Sequence, residues 1–254
     1  MEVVPGLYCL SEVGWGVNAY LWWPGPAQVA EGAPLLFDCG WPWSGQGLAR
    51  SLARLGLHAG EIHAVAITHD DIDHTGRLAV LQAVSGATVI AHALEAVRLA
   101  STSWREPPGN RGPINLVMAA AKRFYQRWPH HPVQVTCPVA DGDKLPGGWM
   151  AVHAPGHTPG HTAYFHPGLP GPDGLQRVLV AGDALGHSGG GRLRLPTPIY
   201  TEDMNAAIEA IGKLANLAPD IICFGHGPVL RNAAEPLRRF ADSLFRQYRG
   251  YSVD

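Results

Sequence analysis

Short apolar runs, each closed by turn residues, recur along the chain at 17–23, 35–39, 64–68, 88–91, 149–154, 178–181 and 221–224. Runs of this length suit strands better than helices. Between them apolar residues fall at helical spacing: Leu48, Leu52 and Leu55, then Met204, Ile208, Ile211 and Leu214, then Leu237, Phe240, Leu244 and Tyr248. Interleaved strands and helices predict an α/β architecture built in layers. Thr201, followed by Glu202 and Asp203, reads as a helix N-cap with acids in the first turn, and Gly250 stands where the last helix should stop. The alternation breaks in the middle. Residues 101–113 are rich in Pro, Gly and charge and precede a helical pattern over 116–128, so the region around 93–130 reads as a surface insertion suited to substrate recognition or to plain connection.

Composition narrows the class. The 254 residues are 46% apolar and 16% charged with a net charge of −2, which excludes a disordered or fibrous chain and predicts a single domain over 1–254. No apolar run approaches the ~18 residues that cross a bilayer, and the start lacks a charged segment followed by an apolar one, so a cytoplasmic protein without membrane contact is expected. The charge balance offers no basic stripe for a nucleic acid, which makes nucleic acid an unexpected partner. Cys9, Cys39, Cys137 and Cys223 form no C-x-x-C pair and read as buried thiols.

Candidate chemistry gathers just past the carboxyl ends of four expected strands, where α/β sheets collect ligands. After 64–68 comes His69-Asp70-Asp71-Ile72-Asp73-His74; after 149–154 comes Pro155-Gly156-His157-Thr158-Pro159-Gly160-His161; Gly182-Asp183 and Gly225-His226-Gly227 follow the last two runs. Any one of these loops taken alone reads equally well as a turn or a cap. Together they bring imidazoles and carboxylates, the ligand set of zinc, iron and manganese, and several neighbouring carboxylates need cations to offset their repulsion.

The order His-x-x-x-Asp-His, Gly-His-Thr-x-Gly-His, Gly-Asp, Gly-His-Gly resembles the metallo-β-lactamase superfamily of hydrolases, over about residues 3–229. The resemblance implies a four-layer αββα sandwich, two mixed sheets face to face with helices outside, and a dinuclear metal centre along one edge. It implies His69, Asp71 and His157 as ligands of a first divalent ion and Asp73, His74 and His226 as ligands of a second, with Asp183 bridging. Zinc is the first expectation for both ions, iron or manganese the alternatives. Asp38 resembles a carboxylate that orients a ligand from behind, and His161 stays outside the ligand set.

One position departs from the family. Most members carry His where this chain has Asp71. Two divalent ions facing Asp71, Asp73 and Asp183 keep one net positive charge before a bridging hydroxide binds and none after, so a less electrophilic centre, open to harder ions and partly empty at its first site, is expected. The alternative is that Asp71 does not ligate and the centre is mononuclear.

The implied reaction is hydrolysis by a metal-activated water. Asp73 orients the nucleophile and accepts a proton, and His187, four residues beyond Asp183, is a candidate proton donor to the leaving group. Trp15, Trp41 and Trp43 are candidates for an apolar pocket wall or for core. With few basic residues near the motifs, a small ester or lactone is the first expectation for the substrate. A thioester hydrolase of the glyoxalase II kind, or an iron-dependent sulfur-handling relative, comes second. A phosphodiesterase, or a non-catalytic binding protein stabilised by metal, stands behind these. Oligomeric state is not legible.

Overall fold

Burial on both faces of the strands sorts their side chains into layers. In a computed structural model, which describes residues 1–26, 34–105, 123, 127–188 and 192–249, one sheet has seven strands. Their order is β1 (Glu2–Val4), β2 (Leu7–Leu10), β3 (Ala19–Trp22), β4 (Leu35–Phe37), β5 (Ala64–Ala66), β6 (Thr88–His92) and β7 (Cys137–Val139). From β1 to β4 the pairing is antiparallel, and from β4 to β7 it is parallel. The second sheet has five strands in the order β14 (Leu230–Arg231), β13 (Ile221–Phe224), β10 (Gly174–Gly182), β9 (Thr162–Gly171), β8 (Met150–His153), with only β10 and β13 parallel. A ribbon of β11 (Gly186–Ser188) and β12 (Arg192–Arg194) stands apart.

Val178 and Val180 point to the core between the sheets with Phe37, Tyr164 and Trp149, while Leu179 points to the opposite face. There it meets Ile208, Ile211 and Leu214 of α5 (Met204–Asn216) and Leu237 and Leu244 of α6 (Ala234–Arg249). On the first sheet Ala64 and Ala66 face the inner core, and Val65 faces outward. It packs with Leu48 and Leu52 of α1 (Gly45–Ala53) and Leu78 and Leu81 of α3 (Leu78–Ser85). Each fully buried Leu, Ile or Phe contributes about 1.5–3 kcal/mol, so three contiguous apolar layers hold an αββα sandwich together. Two further α-helices, α2 (Ile72–Thr75) and α4 (Ala93–Leu99), are short.

Several expectations shift. The cap of α5 is Asp203, whose Oδ1 accepts from the Ala206 N–H at 3.0 Å. Thr201 instead donates to the Thr197 carbonyl at 2.9 Å. Leu55 lies beyond the end of α1, and Cys137 is half-buried where the other three thiols are buried. Most of the helix expected over 116–128 and of the Pro-rich stretch at 101–113, together with Gly250, lies outside the described residues. Among the described residues no helix is long and apolar enough to cross a membrane.

The two sheets are stitched together at one edge. Tyr164 Oη donates to the Ile67 carbonyl at 2.7 Å, and the Thr162 N–H to the Thr68 carbonyl at 2.9 Å. Asn18 Nδ2 donates to the Phe224 and Gly227 carbonyls at 3.1 and 2.8 Å, and Tyr20 Oη to Phe224 at 2.9 Å. These bonds satisfy strand-end carbonyls that would otherwise be buried and unpaired. They also tie the loop after β5 to β9, and the loop after β13 to β3 and the residue before it.

Candidate metal centre

The loop after β5 runs into α2, with Asp71 at the N-cap position and Asp73 and His74 in its single turn. The turn is pinned from the first sheet: the Cys39 N–H donates to the His74 carbonyl at 2.8 Å. Asp38 precedes Cys39 with φ of +56°, a left-handed conformation that favours Gly or Asn over most residues. That turn aims the buried Asp38 carboxylate inward. Oδ1 accepts the Thr68 N–H at 2.9 Å, while Oδ2 accepts the Thr68 hydroxyl at 2.8 Å and His74 Nδ1 at 2.8 Å.

These bonds set the tautomers. Because the Thr68 hydroxyl gives its hydrogen to Asp38, its oxygen receives that of His69 Nδ1 at 2.9 Å. His226 Nδ1 likewise faces the Gly16 carbonyl at 3.0 Å. In His69, His74 and His226 the Nδ1 hydrogen is therefore committed to an oxygen, and each Nε2 turns to the common centre. His69 Nε2 is buried and has no hydrogen-bond partner. Burial, then the neighbouring His74 charge, push the His69 pKa down, so it stays neutral with its lone pair exposed to the centre.

Around that centre Asp183 Oδ1 lies 3.5 Å from His74 Nε2, and Asp183 Oδ2 and Asp73 Oδ2 each lie 3.3 Å from His226 Nε2. Burial would lower the His74 pKa, but Asp38, Asp73 and Asp183 raise it to about 9. Asp183 foremost, against burial, raises that of His226 to about 12. Burial would raise the Asp183 carboxyl, yet the His226 and His74 charges hold it well below the usual range. The cluster is thus charged so as to bind cations, protons in their absence. Its donors are the oxygens and imidazole nitrogens that zinc, iron and manganese take, and the orphaned His69 lone pair fits such an ion.

Backbone space is matched to this packing. A Cβ on Gly225 would stand 2.2 Å from Asp183 Oδ1 and 2.7 Å from His74 Cε1, so only glycine lets the strand end pass. His161 sits behind the cluster, its Nε2 accepting the Asp183 N–H at 3.1 Å.

The adjoining trio, His69, Asp71 and His157, is of another kind. His157 Nε2 lies 3.0 Å from Asp71 Oδ2, and Arg105 forks onto the same carboxylate with Nε 2.6 Å from Oδ1 and Nη2 2.6 Å from Oδ2. Burial opposes ionisation of Asp71, but His157, His69 and Arg105 together hold its pKa well below the usual range. The Arg105 side chain is only 5% exposed and is braced by the Tyr200 carbonyl at 3.2 Å and by Glu202 at 3.2 Å. Glu202 also receives two bonds from Arg98 of α4, at 2.7 and 3.1 Å. From the same helix the buried Glu95 accepts Thr158 Oγ1 at 2.7 Å and the Gly160 N–H at 2.9 Å, shaping the His157 loop.

All seven expected ligands, His69, Asp71, Asp73, His74, His157, Asp183 and His226, meet at this edge. His187 does not join them. It is buried, stacks on Phe224 at 5.1 Å, gives its Nδ1 to the Pro228 carbonyl at 2.8 Å, and lies outside the cleft lining. The cleft itself, about 310 Å³, is lined by Asp71, Asp73, Asp183, His157 and His226 on one side and by Trp41, Leu185, Leu195 and Tyr200 on others. Trp41 stacks on Trp43 at 4.5 Å, and Trp43 meets Trp15 at 5.5 Å and Trp128 at 4.4 Å, so an aromatic wall extends from the cleft. The basic residues Arg105 and Arg194 also line it, although neither stands near the motifs in sequence. Arg105 had one signal in the sequence: an anion replacing an imidazole at 71 calls for a compensating cation.

An αββα sandwich with imidazoles and carboxylates converging at the edge where its sheets are joined defines a class of metal-site hydrolases. The chain belongs to the metallo-beta-lactamase superfamily, whose family model matches residues 13–226. It is 28% identical over 232 residues to YobT of Bacillus subtilis, covering 88% of each chain. It is 31% identical over 188 residues to a hydroxyacylglutathione hydrolase of Rhodobacter capsulatus, covering 72% of this chain and 54% of that one. Among solved structures, BJP-1, a subclass B3 metallo-beta-lactamase of Bradyrhizobium japonicum, superposes with a TM-score of 0.68 at 19% identity, covering 98% of this chain and 92% of that one. At that identity the likeness concerns the fold.

Proposed function

We propose that this chain is a metal-dependent hydrolase of small esters or lactones, with zinc as its resident metal. The observation that carries this reading is the convergence of His69, His74 and His226 with Asp73 and Asp183, of which Asp73, Asp183 and His226 line a cleft. A divalent ion held by these residues supplies an acidified water and a positive charge for the acyl oxygen. The protein's own groups do the rest. Asp73 faces the cleft from the turn of α2, placed to accept a hydrogen from the attacking water and return it to the leaving oxygen as the acyl–oxygen bond breaks. Asp38 and the Gly16 carbonyl keep the His74 and His226 rings from rotating. Trp41 and Leu195 offer the apolar surface that a small acyl group or ring needs, and a cleft of about 310 Å³ suits a small substrate.

A thioester is the second substrate class, supported by similarity to the Rhodobacter capsulatus hydroxyacylglutathione hydrolase. A turnover screen over lactones, carboxyl esters, thioesters and phosphodiesters, run beside elemental analysis of the same preparation, separates these readings. Lactone or ester hydrolysis that chelation abolishes and zinc restores is the expected result. Thioester turnover alone would transfer the assignment to the second class, and iron with oxygen consumption would contradict a hydrolase.

A further inference from the structure

We infer that the Arg105 guanidinium occupies the place of the first of the two ions that the family pattern implies, so that the centre takes one divalent ion. This rests on the metal reading above and alters its stoichiometry. The two halves of the site differ in how their polar atoms are satisfied. In the half formed by Asp73, His74, Asp183 and His226, the nearest neighbours of each carboxylate are imidazoles whose Nδ1 atoms are already engaged elsewhere. Those oxygens and Nε2 atoms form a donor set for one cation.

In the other half the cation is built into the chain. Arg105 meets both oxygens of Asp71 at 2.6 Å and its Nη2 stands 3.5 Å from His157 Nε2, which itself turns to Asp71 at 3.0 Å, so the guanidinium occupies the space between two of the three groups that would hold a first ion, while the third, His69, is shared with His74 and Asp183 of the other half. The fork is the geometry in which Arg binds carboxylate most strongly. It is fixed from behind by Tyr200 and Glu202, and Arg105 Nε also lies 3.4 Å from the buried Asp70. A zinc ion on Asp71 and His157 would need both donor atoms at ~2.0–2.2 Å and would stand beside the guanidinium with like charge. Charge agrees with geometry. One divalent ion and one guanidinium match the three carboxylates Asp71, Asp73 and Asp183, so the substitution of Asp for His at 71 and the presence of Arg105 form one device.

The test is metal stoichiometry. The chain is stripped with a chelator, titrated with Zn²⁺ and read by native mass spectrometry, beside Arg105→Gln. The expected result is one equivalent bound to the unaltered chain, with any second ion weaker by about a hundredfold or more, and two equivalents bound to Arg105→Gln. Two ions of similar affinity on the unaltered chain would overturn the inference and leave the hydrolase reading intact; this arm does not depend on the variant folding. No ion on either would overturn both. A folded Arg105→Gln, judged by its circular dichroism, that still takes one ion would remove Arg105 from the role.

Discussion

Replacing Asp38 by Asn isolates what the carboxylate does for the metal ligands. Asn tolerates the left-handed backbone at this position, where φ is +56°, so the loop itself is not strained. Its amide oxygen can keep the Thr68 N–H, but the amide NH₂ then faces two donors, the Thr68 hydroxyl and His74 Nδ1–H, each 2.8 Å from the present Oδ2. The relief open to His74 is to move its hydrogen to Nε2, which spoils it as a ligand. Loss of such an orienting partner typically lowers metal affinity about 10–100-fold, or about 1.4–2.7 kcal/mol. Leaving buried donors unpaired costs the metal-free fold about 1–3 kcal/mol. Competition against a chromophoric chelator gives the affinity, and urea unfolding of the stripped protein gives the stability. An Asp38→Asn protein that binds Zn²⁺ as tightly as its parent would refute the claim that Asp38 sets the His74 tautomer.

Three further outcomes are expected. Gly225→Ala places a methyl group 2.2 Å from Asp183 Oδ1 and should weaken metal binding by at least about tenfold; unchanged affinity would show that the strand end can move. The stripped protein should melt at lower temperature as pH rises. His74 titrates near 9 in the fold against 6.5 unfolded, so its protonated form stabilises fully below about 6.5 and that contribution is lost as pH climbs through about 9. Bound metal replaces the proton and should flatten this slope in calorimetric scans, so parallel slopes with and without metal would contradict it. His187→Ala should leave kcat and metal content unaltered, because the ring lies outside the cleft lining; a fall in kcat with metal intact would restore it as a proton donor.

What could be read along the chain and what could not divide on a physical line. Ligand loops sit at the carboxyl ends of parallel strands, and those strands are short apolar runs, so His69, His74, Asp183 and His226 stood out together with the strands that carry them. Strand β9 and the outer half of β10 did not. The outer half of this hairpin contains Pro167, Pro170, Gly171 and Gly174, which read as loop, and pairing across the register shift between Gln176 and Val178 is what makes it a strand. Thr201 looked like a cap because hydroxyl followed by acids is a cap pattern, but the helix begins after Asp203, and the Thr201 oxygen lies 3.4 Å from His157 Nδ1 instead. Arg105 was hidden by distance: it lies 34 positions from Asp71 in a stretch whose neighbours are Glu106, Pro107 and Pro108. A charge count shows that Asp71 needs a cation but does not choose among 19 basic residues. The substrate is least legible, since the cleft wall joins Trp41 to Leu195 and Tyr200 from a connection more than 150 positions away.

The most direct test of the metal centre is anomalous diffraction at the zinc absorption edge from crystals grown with Zn²⁺. The expected result is a strong peak among His74 Nε2, His226 Nε2, Asp73 and Asp183. Crystals that diffract well, contain zinc in the drop and show no peak at that position would contradict the reading of these residues as a metal centre.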